Sequence, residues 1–374
     1  MSTSDKRGPL QVERRTRLLE VLQRDGVLRI SDLTDTLGAA AVTIRRDIAQ
    51  LASEGLVRRV HGGVALPDAD DTAGEATAGE DAAPGAGAPL GGRTLGMLVP
   101  SLDYYWPHVA RGAEEAAREL DMRIVLRGSS YEIEDDRPQL TRLVEQLGVD
   151  ALIVAPRMDA PTAERTVAWL AGAGLPVVLL ERTASFGPHH EVLESVVTDH
   201  ALGAAMAVRH LVSLGHRRVG AVLAEPSPTT PHVHRGWLEA VAECGLDPAA
   251  TLDARVPDAG TPESNAALDA VLDRCLSTGT TALLVHADAE AIALVQRCEE
   301  RGLAVPGDLS VVAYDDEVAG LFSPALTAVR PPRRSIGRAA VRLVADRLAD
   351  PGRPAHRVVI SPALRVRGSS APPR

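Results

Sequence analysis

Cysteine and aromatic residues are scarce in this sequence, which has three Cys and an aromatic content of 2% among 374 residues. Cys244, Cys275 and Cys298 are odd in number and far apart, so neither a disulfide framework nor a zinc cluster is indicated. We expect all three to be buried packing residues. The few aromatic side chains leave few stacking platforms for a ring-shaped ligand.

Long apolar runs are also missing. No run approaches the roughly 18 residues that a membrane helix needs. The first 17 residues are polar and basic and lack the apolar core of a signal peptide. With 45% hydrophobic residues, the chain is long enough for two or three domains. The sequence therefore predicts a cytoplasmic protein that does not contact a membrane.

Catalytic and metal-binding motifs are not found. The sequence has no Gly-x-Ser-x-Gly elbow, no Gly-rich phosphate loop followed by Lys, and no His-Glu-x-x-His. Asp315 and Asp316 are adjacent at the end of a predicted strand, so their side chains point to opposite faces and cannot flank one substrate atom. The histidines at 189–190 and at 232 and 234 have no convincing fourth ligand. We predict that the protein is not an enzyme and has no catalytic residue, metal or cofactor.

Charge is distributed unevenly along the chain. Residues 1–66 contain eleven basic and eight acidic residues, whereas residues 67–92 contain six acidic residues and no basic one. Residues 93–374 contain 29 basic and 36 acidic residues. This pattern predicts that phosphate contacts are confined to residues 1–66. Residues 67–92 also have hardly any large apolar side chain, and we expect an acidic flexible linker with a span of about 28 Å.

The most informative segment is a predicted basic helix. Ile44, Ile48 and Leu51 recur at i, i+4 and i+7 and predict an apolar stripe that packs inward. The opposite side carries four DNA-binding candidates, namely Thr43, Arg45, Arg46 and Gln50. Arginine can pair with guanine or phosphate and glutamine with adenine, so this mixture suits a recognition helix in the major groove. The alternative for adjacent arginines is a solvated helix face.

The flanking segments complete a winged helix-turn-helix pattern. Leu18 and Leu22 belong to a preceding amphipathic helix, and Ser31 is a predicted N-cap for a second short helix over 32–37. Residues 56–60 and 64–66 predict a hairpin wing around Gly62-Gly63, with Arg58 and His61 at its edge as further DNA-binding candidates.

These residues resemble the winged DNA-binding domain of DeoR-type bacterial transcription regulators. The matching positions are Arg14, Gly26, Leu33, Thr43 to Asp47, Leu51, Gly55-Leu56 and Arg59 to Gly63. The resemblance covers about residues 12–66 and implies that residues 43–47 begin the helix that contacts an operator. The family's capping serine is replaced by Ala40, and lack of a side-chain cap costs about 1 kcal/mol of helix stability. Thr43 is the alternative cap.

From residue 94 onward, short apolar runs alternate with amphipathic helices. The predicted strands are 95–99, 123–126, 151–154, 177–180, 195–197, 218–223, 282–285 and 309–313. Nearly continuous Val, Leu and Ile runs are typical of parallel strands covered on both faces. We predict a doubly wound α/β structure with a parallel sheet, and residues 93–374 exceed a comfortable single core, which favours two lobes.

Several strings in this part resemble the LacI/GalR effector-binding domain. They are Leu98 to Pro100, Tyr105-Trp106, Gly148 to Val154, Leu175 to Arg182, Leu214 to Val219, Ser310 to Asp316 and Ser323-Pro324. The resemblance implies a fold like that of periplasmic sugar-binding proteins. It also implies a small ligand between two lobes, which are expected to be joined by crossings near residues 199 and 316.

The ligand candidates lie after predicted strands, where open α/β sheets bind their ligands. The resemblance implies that Tyr105 and Trp106 stack on a ligand ring and that Asp288 accepts hydrogen bonds from ligand hydroxyls. The alternatives are ordinary packing for the aromatic pair and a helix N-cap for Asp288. The resemblance implies an arginine three residues before Gly236-Trp237, but this chain has Val233 there. Arg235 is the ligand candidate that could substitute, and His232 is the alternative; neither occupies the same position.

Two other positions depart from the family. Ala287 replaces the asparagine before the key aspartate, and Gly260 replaces an aromatic residue. Loss of an arginine contact removes about 1.5–3 kcal/mol, so the usual sugar ligand is in question.

We therefore predict a repressor that binds double-stranded operator DNA as a homodimer and responds to a sugar-like effector. Two alternatives stay open. The effector domain could serve only for dimerisation without a ligand, or a catalytic domain could be fused to the DNA-binding part.

Overall fold

The computed structural model divides the chain into two compact units, residues 1–84 and 85–374. In the second unit the structure describes residues 91–103, 105–130, 135–247 and 251–374. The residues described in the first unit are 17–22, 24, 28–29, 33, 36, 51, 57–60 and 63–65. The predicted linker over 67–92 lies outside these residues, apart from its last two positions.

The described part of the first unit contains a small antiparallel sheet. Its strands are β1 (Leu28–Arg29), β2 (Arg58–Val60) and β3 (Gly63–Ala65), in the order β1-β3-β2. The pairing of β2 with β3 places Arg58 opposite Ala65, which is the predicted hairpin. The sequence did not reveal the third strand, β1. Leu18, Leu22, Leu33 and Leu51 are buried, as expected for the apolar sides of the predicted helices.

The second unit has two lobes, and lobe 1 is built on a six-stranded parallel sheet. The strand order is β16-β10-β7-β6-β4-β5. The strands are β4 (Thr94–Val99), β5 (Arg123–Gly128), β6 (Ala151–Val154), β7 (Val177–Leu180), β10 (Glu194–Thr198) and β16 (Arg357–Ile360). The helices are α1 (Tyr105–Glu119), α2 (Arg137–Thr141, continued by a π turn, Arg142–Gln146), α3 (Ala163–Ala171) and α8 (Arg333–Ala349). A hairpin of β8 (Ser185–Phe186) and β9 (Glu191–Val192) lies between β7 and β10.

Lobe 2 repeats this architecture with the order β12-β11-β13-β14-β15-β17, in which β17 alone is antiparallel to its neighbour. Its strands are β11 (Val219–Ala224), β12 (Asp253–Val256), β13 (Ala282–His286), β14 (Ser310–Tyr314), β15 (Thr327–Arg330) and β17 (Ala363–Arg365). Its helices are α4 (His200–Ser213), α5 (Thr230–Glu243), α6 (Pro262–Thr278) and α7 (Asp288–Glu300), with a short 3-10 turn, Ala319–Leu321. Among the described residues, no helix has both the length and the apolar character needed to cross a bilayer.

The predicted two-lobed, doubly wound architecture is confirmed, and the strands that were missed lie mainly at sheet edges. β12 and β16 are edge strands: the residues of β16 alternate between exposed and partly buried, and β12 has only one buried residue, Val256, whereas every residue of β13 is buried. An edge strand needs apolar residues on only part of its surface, so it does not produce a continuous apolar run.

The chain crosses between the lobes at three places. It passes from β10 to α4 at residue 199, from β15 to α8 at 331–332, and from β16 to β17 at 361–362. The crossing predicted near residue 316 is therefore misplaced. β15 comes after Asp316 and pairs with β14, so the chain completes another strand of lobe 2 before it leaves.

The three cysteines lie in apolar surroundings. Cys275 and Cys298 are buried in the core of lobe 2, and Cys244 packs partly buried against a neighbouring apolar cluster. Burial raises the pKa of Cys275 to about 12 and that of Cys298 to about 11. Both therefore remain protonated thiols at neutral pH.

Helices α1 and α8 pack with their backbones in close contact. A Cβ atom on Gly337 would lie 2.0 Å from the Val109 carbonyl oxygen, and one on Gly112 would lie 2.1 Å from the Arg334 carbonyl oxygen. Arg338 of α8 also donates to the Glu119 carboxylate of α1 at 2.8 Å. The two glycines thus allow α1 and α8 to approach closely, which fixes the start of α8, just after a lobe crossing, against the helix that begins with Tyr105.

Replacing Gly337 with Ala should destabilise the protein, because the new methyl group would meet backbone atoms that cannot rotate away. We expect a loss of about 3 kcal/mol in the free energy of unfolding, at the upper end for overpacking. Gly352→Ala is the control, since a Cβ there would meet nothing closer than the Asp350 carboxylate at 3.7 Å. Urea unfolding measures the free energy of unfolding of the two full-length variants. Equal values for Gly337→Ala and Gly352→Ala would contradict this account of the packing.

Candidate functional site

A cluster of polar side chains joins the two lobes at the carboxyl ends of their strands. We call it the interlobe cluster; it consists of Tyr105, Glu181, Thr198, His200 and Tyr314. Glu181 follows β7, Thr198 ends β10 and Tyr314 ends β14, while His200 begins α4 and Tyr105 begins α1. Because parallel strands of one sheet end at the same edge, residues far apart in the sequence meet here.

The Glu181 carboxylate is the centre of this cluster. It accepts hydrogen bonds from the Thr198 amide at 2.8 Å, from the Thr198 hydroxyl at 2.7 Å and from the Tyr105 hydroxyl. The Nε2 atom of His200 lies 3.5 Å from the Glu181 Oε2 atom, which also accepts the hydrogen bond of the Thr198 amide, whereas the two hydroxyl groups donate to Oε1. The Glu181 side chain is 5% exposed, so these contacts replace its water shell.

Burial and hydrogen bonding act in opposite directions on the pKa of Glu181. Burial raises the pKa, but the hydrogen bond and charge of His200, together with the Thr198 amide and the Tyr105 hydroxyl, lower it below its ordinary value. Burial and the Glu181 charge raise the pKa of Tyr105 well above its usual range. At neutral pH, Tyr105 is therefore a hydrogen-bond donor to an ionised carboxylate.

The cluster continues into lobe 2 through His200 and Tyr314. The Nδ1 atom of His200 lies 3.0 Å from the Tyr314 hydroxyl, which also lies 3.3 Å from the His200 carbonyl oxygen. Tyr314 is fully buried, and burial, with the charges of Asp315 and Glu181, raises its pKa well above the usual value. The His286 ring contacts the Tyr314 ring edge-on, with the two ring centroids 5.6 Å apart.

Arg333 forms a second connection between the lobes, at the start of α8. Its guanidinium lies 5.3 Å from the centre of the Tyr105 ring and donates to the Asp315 carbonyl oxygen. It also pairs with the Glu317 carboxylate at 3.3 Å. Burial raises the pKa of Glu317 to about 7 against the opposing charge of Arg333, and the charges of Asp315 and Asp288 add smaller increases.

The two predicted aromatic candidates have different surroundings. Tyr105 belongs to the interlobe cluster, whereas Trp106 is 4% exposed and packs in the core of lobe 1. Their rings make an edge contact with centroids 5.3 Å apart. We therefore assign Trp106 to the core that supports Tyr105 and not to the ligand site, because successive helical residues point in different directions.

Asp288 is 5% exposed and acts as an anchor for the following loop. Its carboxylate accepts hydrogen bonds from four successive backbone amides, those of residues 316–319, at 2.7 to 3.1 Å. A carboxylate used in this way holds the loop and has little left to offer a ligand. A ligand contact by Asp288 stays a prediction, and these bonds do not favour it.

Arg235 lies on the exposed side of α5. Its side chain is 62% exposed and its closest ion pair, with Glu239, is 3.8 Å long. Val233, at the position of the family's arginine, is fully buried. The sequence analysis missed Glu181, His200 and Tyr314 as site residues, although each lies directly at a strand end or a lobe crossing, and that position was the available signal.

The DNA-binding candidates Thr43, Arg45, Arg46, Gln50 and His61 lie outside the described residues, and Arg58 is described only as part of strand β2. Within the described ranges, no group of three or more His, Cys, Asp or Glu side chains is arranged to hold a metal ion.

Comparisons with known proteins match both parts of the chain. A model of DeoR-like helix-turn-helix domains matches residues 14–70, and one of periplasmic binding protein-like domains matches residues 208–370. The HTH-type transcriptional regulator reg1 of Streptomyces lividans is 31% identical over 242 residues, which cover 62% of this chain and 68% of reg1. The HTH-type transcriptional repressor PurR of Aliivibrio fischeri is 28% identical over 264 residues, which cover 69% of this chain and 75% of PurR.

A solved structure supports the same assignment. The LacI family transcriptional regulator from Enterococcus faecium with bound ribose is 26% identical to this chain, with a TM-score of 0.60. The match covers 75% of this chain and 99% of that structure. The chain therefore belongs to the LacI family of HTH-type transcriptional regulators, and its N-terminal part is a DeoR-like helix-turn-helix domain.

Proposed function

We propose that this protein is a one-component repressor whose two-lobed part binds a small hydroxylated metabolite in the cleft beside the interlobe cluster. The observation that carries the proposal is that groups from both lobes converge as hydrogen-bond donors on the Glu181 carboxylate. A ligand between the lobes would contact groups whose spacing depends on how the lobes are arranged, so binding would favour one arrangement. The names of the relatives, a repressor and a ribose-bound regulator, support this proposal.

Operator recognition is assigned to the basic helix of the first unit. In this proposal Arg45 and Arg46 contact base edges or phosphates, and Thr43, Gln50, Arg58 and His61 add contacts around them. One short recognition helix buries too little surface for useful specificity at physiological salt. We therefore propose that the protein binds two half-sites as a homodimer.

The alternative, in which the two-lobed part only dimerises, rests on specific residues. Val233 replaces the family's arginine, and the Asp288 carboxylate is already bonded to four backbone amides. A ligand in this cleft must therefore depend on other groups. Groups from both lobes meet at the interlobe cluster, so a ligand that exchanges with or adds to its hydrogen bonds would favour one arrangement of the lobes, which is why we prefer the sensing function.

Changing Arg45 and Arg46 to Ala should abolish specific operator binding, because both guanidinium contacts are lost. Each base contact is worth about 1–3 kcal/mol, so the two together predict a loss of roughly 100-fold or more in affinity. The control is Arg118→Ala with Arg209→Ala, which removes the same charge from exposed positions of the second unit. The affinity of each double variant is measured by fluorescence anisotropy with a genomic DNA fragment that the unmodified protein binds specifically. Undiminished binding by the folded Arg45 and Arg46 variant would contradict the assignment.

Thermal unfolding in a panel of sugars, nucleosides and polyols should show stabilisation by at least one of them, because a ligand that binds only the folded state raises its stability. Glu181→Gln should lower the affinity for that ligand about tenfold, since the ionised acceptor that orients Tyr105 becomes neutral. Glu243→Gln is the surface control, since Glu243 pairs with Arg209 on an exposed face of lobe 2. If no compound shifts the melting temperature while the protein remains dimeric, the dimerisation alternative replaces the sensing function.

The predicted linker limits how a ligand signal reaches DNA. A coil of this composition transmits no torque, so we propose that the effector changes dimer assembly or releases the DNA-binding domains. Deleting residues 71–80 should then leave the effector response of operator binding within about twofold, because a coil's span varies only with the square root of its length. Loss of the response, with DNA and effector affinities unchanged, would show that the linker itself carries the signal.

A further inference from the structure

We propose that the metabolite carries an anionic group, a phosphate or a carboxylate, which is held by Arg182 from lobe 1 and by His232 and Arg235 from lobe 2. This inference rests on the proposed sensing function and specifies the chemistry of its ligand. It concerns an arginine that directly follows Glu181 at the carboxyl end of β7.

Arg182 follows Glu181 directly, at the carboxyl end of β7. One of its terminal nitrogens donates to the Glu181 carbonyl oxygen at 2.7 Å, which fixes the side chain. Its Nε atom is buried and has no hydrogen-bond partner among the described residues. A guanidinium can only donate, so a buried N–H of this kind needs an acceptor from elsewhere. An anionic oxygen is the acceptor that arginine binds most strongly.

His232 and Arg235 belong to neighbouring turns of one side of α5, near its N-terminal end. The His232 ring lies 6.5 Å from the His200 ring of the interlobe cluster. Its nitrogens bond to no other described residue. The ion pair of Arg235 with Glu239 is long and exposed, so it does little to neutralise Arg235.

The electrostatics of His232 show that these groups act on one another. Burial lowers its pKa, the charges of His200, Arg235 and Arg182 lower it further, and only Glu181 raises it. With its pKa lowered, the His232 ring is neutral at neutral pH and can donate a hydrogen bond. Arg182 and Arg235 carry the positive charges that would attract an anion to this ring.

Most other charged groups nearby have partners. Glu181 is satisfied by Tyr105, Thr198 and His200. Arg333 pairs with Glu317 and donates to the Asp315 carbonyl oxygen, although its buried Nε atom, like that of Arg182, has no hydrogen-bond partner among the described residues. The Asp315 carboxylate has no partner among the described residues, and its charge raises the pKa of both Tyr105 and Tyr314. An acceptor of this kind suits ligand hydroxyl groups. An anionic polyol, such as a phosphorylated sugar or a sugar acid, matches both sets of groups.

The test compares matched ligands on the full-length protein by isothermal titration calorimetry. The probes are glucose, gluconate and glucose 6-phosphate, then ribose and ribose 5-phosphate, with inorganic phosphate alone as the minimal anion. We expect an anionic member to bind at least tenfold more tightly than its neutral counterpart, as a charge-assisted bond predicts. The phosphate and carboxylate arms identify which anion the site prefers.

Arg182→Gln should remove this preference and leave the affinity for the neutral sugar nearly unchanged. Arg209→Gln is the matched control, because it removes an arginine from an exposed surface pair. If neutral and anionic probes bind equally, or if Arg182→Gln keeps the preference, the anion site is wrong and the sensing function stands. If no probe binds while operator binding is intact, the sugar-sensing function and the anion site both fail.

Discussion

The two-lobed part of this protein depends on one buried ionised carboxylate, that of Glu181. A buried charge is expensive unless hydrogen bonds replace its water, and here donors from Thr198, Tyr105 and His200 do so. These donors belong to three different elements and to both lobes. The contact with His200 joins Glu181 to lobe 2, so the cost of burying the charge depends in part on how the lobes are arranged.

In the proposed function, this constraint is the means by which a small solute in the cleft would affect operator binding. A ligand that competes with, or adds to, the bonds of Tyr105 and His200 changes the free energy of one lobe arrangement relative to another. Since Arg333 packs against Tyr105 and binds the Asp315 carbonyl oxygen, the same change would reach the crossing at 331–332.

The sequence predicted the architecture well because buried parallel strands leave a strong signal. Val177–Leu180 is apolar at every position and was recognised, whereas Arg357–Ile360 is an edge strand and was not. The second lobe crossing was misplaced because β15 pairs with β14 only in the folded sheet, through contacts that leave no local pattern.

The candidate site was harder to predict than the fold. Tyr105, predicted to stack on a ligand ring, lies in the interlobe cluster as a donor to Glu181, and the stacking role stays a prediction. Trp106 beside it belongs to the core, and Asp288 is bonded to loop amides. Such roles depend on which way a side chain points after the lobes have formed. Glu181 was part of a quoted family string, yet nothing in that string reveals the donors that surround it.

The central claim is that one chain reads a specific DNA sequence under the control of a metabolite, and sequencing tests it most directly. Full-length protein would retain fragments of its host's genomic DNA with and without a mixture of neutral and anionic sugars. The account predicts a few strongly enriched sites with two half-sites each, whose recovery changes when the sugars are present. Retention without sequence preference, or enriched sites that no sugar alters, would contradict it.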